Sequence, residues 1–302
     1  MRGWVGYELV SITNDRERMI MSNETFFAPS DLKEACTLLS DLGETAVILA
    51  GGTDLMVRFN RHRRNRKEAL VYVGNLNLDY IREMDGQMII GACATLTDIA
   101  ESPLVRKELP LLALACSEMA SPAIRNAATL GGNLGTNSRN ADGVAALMAL
   151  GAVVVIASAA GENRMPIEEF VSMPKRQKLA NGGIIKQFEV RCLTADDRWG
   201  WEKLRQRRGE GRSIVSVSVR AGITGDICKR IRLVLGAVAA HPFISKTAVK
   251  ILEGKQLSPD LIQKVSEEIV TEIDPTSDAR ASAWYREKAA QALVRRILSQ
   301  IA

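Results

Sequence analysis

Histidine is almost missing from this 302-residue chain, which has only His62 and His241. His62 sits in an arginine run and His241 beside Pro242, and both positions read as surface. No Ser-His-Asp or Cys-His pairing can be placed, and no pair of carboxylates stands out for acid–base work. The five cysteines, Cys36, Cys93, Cys116, Cys192 and Cys228, are scattered and odd in number, with no C-x-x-C. That pattern argues against a disulfide framework and against zinc or iron–sulfur ligation, and it fits reduced thiols in a cytoplasmic protein. Long apolar runs are lacking too. The longest, Gly143 to Ala157, is too short for a bilayer and is broken by Gly151. The first residues, MRGWVGYELVSITNDRERMIMS, have no apolar centre of the signal-peptide kind. Residues 1–20 have no convincing period, so they read as a disordered extension or an upstream start ahead of Met21. A net charge of +5 is too small to argue for a nucleic-acid binder. If such a chain is an enzyme, a bound cofactor carries the reaction while the protein supplies position and electrostatics.

What is present is ordinary globular material: 46% apolar and 25% charged residues, in a chain long enough for two or three compact units. Phe26 and Phe27 read as a short strand. Ser30 or Asp31 is placed to cap a helix over Leu32–Leu42, whose Ala35, Leu38, Leu39 and Leu42 share one face and which Gly43 ends. Thr45 to Ala50 is a continuous apolar run, as expected of a strand buried on both faces. It leads into Gly51-Gly52-Thr53-Asp54 and a short helix from Leu55. This order implies a small α/β unit with an anion site at the carboxyl end of the strand. The basic run Arg58 to Lys67 reads first as a solvated loop, then as a docking patch for an acidic partner, and last as a nucleic-acid site. Further strands are expected at 69–73, 88–92, 153–157, 184–190, 214–219 and 230–238. Helices are expected at 96–101, 109–119, 143–150, 259–272 and 281–301. The pattern shifts near residue 199, which marks a separate C-terminal domain.

The chemistry-bearing stretch is Thr129-Leu130-Gly131-Gly132-Asn133-Leu134-Gly135, followed by Asp142. Adjacent glycines leave the backbone bare, so consecutive N–H groups can close around an anion, with Thr129 and Asn133 adding a hydroxyl and an amide. An acidic residue further on suits sugar hydroxyls. The combination points to a phosphate joined to a polyol. Neither glycine loop is a Walker A motif, and Gly209-Glu210-Gly211 fails as a Rossmann fingerprint because Ile214 stands where the third glycine belongs. A second Gly-Gly loop at Gly51-Gly52 makes a dinucleotide gripped from two sides a better reading than a mononucleotide. Asp142 also fits as the N-cap of the helix after it, with one carboxylate oxygen capping and the other free for a sugar. Asp54 carries the same ambiguity ahead of Leu55.

Taken together, Ala50 to Leu55, Ile124 to Leu134, Asp142, Tyr285-Arg286 and Leu293 to Arg296 resemble the FAD-binding medium subunit of molybdenum hydroxylases, the xanthine dehydrogenase and carbon monoxide dehydrogenase family. The resemblance runs in register from about Met21 to the C-terminus. It implies an α+β fold: a two-subdomain FAD-binding domain of the vanillyl-alcohol-oxidase (PCMH) type over 21–198, with subdomains at about 21–77 and 78–198. A smaller α/β domain of the carbon monoxide dehydrogenase flavoprotein type follows over 199–302. By position it implies that Ile48, Leu49, Ala50, Gly51, Gly52, Thr53, Asp54 and Leu55 line one side of the FAD pyrophosphate. Thr129, Gly132 and Asn133 would hold the other side, Asp142 would point toward the sugar or ribityl chain, and Met119 would lie near the isoalloxazine ring. It further implies an electron-transfer role, with a molybdenum-binding large subunit and an iron–sulfur small subunit as partners and an acceptor such as NAD. Two departures stand out: the segment Ser138-Arg139-Asn140-Ala141-Asp142 lacks the family's proline, and no arginine follows Pro242. The alternatives are a self-contained flavin oxidase or dehydrogenase and a non-enzymatic basic binding module.

Overall fold

The computed structural model describes residues 26–61, 68–179, 182–207 and 211–302. The expectations for residues 1–20, for His62 and for the basic run at 62–67 fall outside them. In chain order the elements are β1 (Phe26–Phe27), α1 (Leu32–Leu42), β2 (Ala46–Leu49), α2 (Leu55–Arg61), β3 (Ala69–Tyr72), β4 (Ile81–Met84) and β5 (Gln87–Gly91). Helices α3 (Leu96–Glu101), α4 (Pro103–Glu108), α5 (Pro110–Ser117), α6 (Pro122–Arg125), α7 (Leu130–Gly135) and α8 (Asp142–Leu150) come next. After them stand β6 (Val153–Ser158), β7 (Gly161–Pro166), α9 (Ile167–Ser172), α10 (Lys175–Lys178), β8 (Ile184–Arg191) and β9 (Asp197–Leu204). The chain closes with β10 (Val215–Thr224), β11 (Ile227–Gly236), β12 (Phe243–Ile244), α11 (Lys246–Leu252), α12 (Pro259–Glu268) and α13 (Ala283–Ile301).

The first sheet is parallel, in the order β1-β3-β2. Asp31 caps α1 by accepting the Glu34 N–H at 2.8 Å, and Gly43 ends the helix with φ +54°. The structure corrects the reading of β2 as buried on both faces. It is an edge strand, and every residue from Ala46 to Met56 is only half-buried. Among the described residues no strand pairs with this apolar edge, which leaves it open to a neighbour.

The second sheet is antiparallel, in the order β4-β5-β8-β6-β7. Helices α3, α5 and α8 share its core, with Met88, Ile90, Leu112, Leu147, Phe170 and Phe188 buried together. The third sheet, β12-β11-β10-β9, is antiparallel as well. Val215, Val217, Val219 and Ala221 pack with Leu293, Val294 and Ile297 of α13. The alternate residues Ser216, Ser218 and Arg220 are also buried, and their face of the sheet meets α8.

Helix α8 is therefore held between two cores, and all nine of its residues, Asp142 to Leu150, are buried. The serines and the alanines Ala145, Ala146 and Ala149 let helix and sheet approach closely. Arg220 donates to the Leu150 carbonyl at 3.1 Å and Arg232 to the Met148 carbonyl at 2.8 Å. Two cations thus face the negative end of the helix dipole from the C-terminal sheet. Gly151, at φ +72°, forms the left-handed cap that the sequence indicates. No helix among the described residues is long and apolar enough to cross a membrane.

Candidate functional site

The loop after β2 opens at the carboxyl end of a parallel strand, and Gly52 takes φ +69°, a conformation that costs glycine nothing. Among the described residues, no acceptor partners the N–H groups of Gly51, Gly52 and Thr53. Asp54, the residue before α2, pairs with Arg58 Nε at 2.8 Å, one turn into that helix.

The second glycine stretch behaves differently from the expected bare loop. It is the first turn of α7, capped by Thr129, whose Oγ1 accepts the Gly132 N–H at 3.0 Å. Leu130 N–H donates to the Ala94 carbonyl, Gly131 N–H to the Ala92 carbonyl and Asn133 N–H to the Thr129 carbonyl. All four amides are committed within the protein, so this stretch cannot cradle an anion through them. What it presents is side chains and bareness. Its glycines permit close approach, since a Cβ at Gly131 would stand 2.7 Å from the Ala92 carbonyl oxygen.

The two stretches meet. A Cβ at Gly51 would lie 1.7 Å from the Ala127 carbonyl oxygen, so only glycine fits there, and one at Gly132 would lie 3.9 Å from Ala50 Cβ. Ala50 and Gly51 thus come against Ala127, Ala128 and Gly132; Ile48 to Leu55, Gly132 and Asn133 are half-buried and Thr129 is buried. Asn133 Oδ1 is buried with no hydrogen-bond partner among the described residues, and it stands with Met119 Sδ beside Gly143 at the start of α8.

Asp142 corrects a second expectation. Ala141 is the N-cap residue and makes no side-chain cap, while Asp142 sits inside the first turn. Its carboxylate accepts from Lys203 Nζ at 2.6 Å and from Ser213 Oγ at 2.6 Å. The pair is sealed, with side-chain exposures of 2% and 3%. Burial pushes the Asp142 carboxyl above its ordinary range against the pull of Lys203. Lys203 also donates to the Glu118 carbonyl at 3.1 Å, and Arg205 and Trp201 bond the Glu118 carboxylate. Strand β9 therefore ties the C-terminal domain to the segment around Met119. Lys203 was legible only as one cation in a basic stretch; its partners lie 61 and 85 residues away.

A groove of about 680 Å³ lies elsewhere, between Glu168 on α9 and the His241 to Lys250 segment.

The family described as the FAD binding domain in molybdopterin dehydrogenase matches residues 21–190. The chain belongs to this family. The CO dehydrogenase flavoprotein C-terminal domain matches residues 202–301. Over 288 residues the chain is 29% identical to the nicotinate dehydrogenase FAD-subunit of Eubacterium barkeri, covering 93% of this chain and 97% of that one. It is 28% identical to the carbon monoxide dehydrogenase medium chain of Hydrogenophaga pseudoflava, with 93% and 98% covered. The solved carbon monoxide dehydrogenase of Hydrogenophaga pseudoflava superposes with a TM-score of 0.86 at 28% identity, over 93% of this chain and 97% of that one. Quinoline 2-oxidoreductase of Pseudomonas putida 86 gives 0.83 at 26%, over 93% and 97%.

As an FAD-binding medium subunit of the molybdenum hydroxylase family, the chain is an oxidoreductase subunit with FAD as its cofactor. Its fold is the α+β arrangement that the resemblance implies, an FAD-binding domain followed by a smaller C-terminal domain. The residues present fit the group. Unpartnered amides at Gly51 to Thr53 suit a phosphate, and the orphaned Asn133 Oδ1 suits a ligand donor. The half-buried apolar wall from Ala46 to Ala50 suits a flat organic body.

Proposed function

We propose that this chain is the electron-transfer station of a molybdenum-containing hydroxylase or dehydrogenase. In this reading it holds FAD between the iron–sulfur clusters of a small partner subunit and an acceptor such as NAD, while a large subunit binds the molybdenum centre. When bound, FAD supplies electron exchange singly on one side and in pairs on the other. The chain's own residues bind and orient. Gly51, Gly52 and Thr53 offer N–H groups to the pyrophosphate from one side. Thr129 has one lone pair engaged by Gly132 and keeps its proton to donate from the other side, next to the Asn133 amide. Ile48, Leu49, Ala50, Asp54 and Leu55 complete the first wall, and Gly132 gives the dinucleotide room. Asp142 would stand toward the sugar or ribityl chain, and with its two oxygens held by Lys203 and Ser213 it would shape that end of the site through the buried pair rather than by a direct bond.

The observation that carries this reading is the contact of two glycine stretches that stand far apart in sequence. The names of the relatives, FAD-subunit and medium chain, support a place among other subunits. The test is purification of the native complex with flavin, iron and molybdenum analysis, followed by reduction of NAD or another carrier. Equimolar FAD on this chain, with metals only on co-purifying subunits, is expected. Turnover of an organic substrate by this chain alone would replace the proposal with the self-contained oxidase. Steeply salt-dependent nucleic-acid binding without flavin would replace it with the basic binding module.

A further inference from the structure

Between α5 and α6 the backbone makes a bend that an L-residue disfavours: Ala120 has φ +42°, in the left-handed region. Such a residue persists only where its surroundings hold it. Here the surroundings are cationic. Arg125 Nη1 donates to the Met119 carbonyl at 2.9 Å and to the Ala120 carbonyl at 3.1 Å. One residue earlier, the Glu118 carbonyl receives Lys203 Nζ at 3.1 Å and Arg205 Nη1 at 3.3 Å. Three successive carbonyls are thus each gripped by a charged donor. The bend places Met119 Sδ beside Gly143 and the orphaned Asn133 Oδ1, at the inner end of the candidate site.

Arg125 leads directly into the residues that the first glycine loop touches. Ser121 caps α6, and the Ala127 and Ala128 N–H groups both close on the Ile124 carbonyl. Ala127 then meets Gly51, and Thr129 caps α7. A change at the bend therefore propagates along one short, hydrogen-bonded path to both walls of the site.

We infer that Arg125 is a positioning residue. By tying two adjacent carbonyls to one guanidinium, it stabilises the left-handed Ala120 bend and fixes Met119 and the Ala127–Thr129 segment against the bound dinucleotide. This rests on the FAD reading of the site above. Arg125 acts through the backbone, so its loss is repaired wherever the bend itself is made easy. Glycine adopts positive φ without the Cβ penalty, and Ala120→Gly supplies that repair without restoring any charge.

The experiment compares wild type, Arg125→Gln, Arg125→Lys and Arg125→Gln/Ala120→Gly as full chains. Each is stripped of flavin and titrated with FAD, and the visible circular dichroism of the bound flavin is recorded. Removing the grip leaves Ala120 free to leave the left-handed region, and about a tenfold rise in the FAD dissociation constant is expected for Arg125→Gln. Arg125→Lys falls between it and wild type, which covers the case in which the glutamine variant does not fold. The double variant returns to within about threefold of wild type and regains the wild-type dichroism. A purely structural arginine would lower the unfolding temperature and leave affinity and dichroism unmoved. That result, or an Arg125→Gln defect that Ala120→Gly does not repair, overturns the inference. Failure of the wild type itself to bind FAD overturns the cofactor site, and this inference with it.

Discussion

Gly51→Ala tests the contact between the two glycine stretches with the smallest change available. The added Cβ would lie 1.7 Å from the Ala127 carbonyl oxygen, 2.6 Å from its carbon and 3.2 Å from Ala128 Cα, all of them backbone atoms. Gly51 does not occupy the left-handed region, so the substitution adds bulk and no conformational strain of its own. A tolerable contact begins near 3.0 Å, so the walls must part by at least about 1.3 Å. Overpacking of this kind costs about 1–3 kcal/mol. An opening of that size exceeds the roughly 0.5 Å within which a binding constellation must be held. The expected outcome is a fall in FAD affinity of about tenfold or more, with a modest loss of stability. Gly254→Ala is the control, because Gly254 has φ +75° and open space around its Cβ position, in the C-terminal domain. It bears a backbone penalty of about 1–2 kcal/mol without touching either wall. Both variants are passed through gel filtration, their flavin-to-protein absorbance ratio is read, and their unfolding temperatures are compared. Full flavin retention by Gly51→Ala, or equal loss by Gly254→Ala, would show that the two walls do not hold the flavin together.

Two further outcomes follow from the charges around α8. Lys203→Met strands the buried Asp142 carboxylate and is expected to cost about 3–5 kcal/mol in urea unfolding, while the double variant with Asp142→Asn recovers most of it; additive losses would contradict the pairing. Asp278 is held down to about 2, chiefly by the Arg280 N–H, then by the Ala281 N–H and the Arg286 guanidinium. Its folded value lies below the ordinary 3.8, so its stabilisation is present above about pH 4 and drains away as the pH falls toward 2. The urea midpoint of wild type should therefore drop between pH 5 and about pH 3, and Asp278→Asn should show a clearly smaller drop.

Much of the fold could be read locally. The spacing of Ala35, Leu38 and Leu39, with Asp31 before them and Gly43 after, specifies α1 without any tertiary information. Gly151 does the same for the end of α8. The glycine turn of α7 could not be read this way, because glycine disfavours helix and the carbonyls that hold it, Ala92 and Ala94, come from a distant segment. The run at β2 looked doubly buried because apolar residues on a cleft wall and in a core have the same composition. Strand β10 runs on to Thr224, past the expected end, since Arg220 interrupts the apolar run yet is buried against α8 and Asp197. Asp142 shows the limit most clearly. An acidic residue before a helix reads as a cap, and only the fold brings Lys203 and Ser213 to it.

A crystal structure of the chain soaked or purified with FAD is the most direct measurement. The diphosphate is expected against the amides of Gly51, Gly52 and Thr53, with Thr129 and Asn133 closing over it from the start of α7. Density for the dinucleotide on any other surface, with these two stretches left facing each other unoccupied, would contradict it.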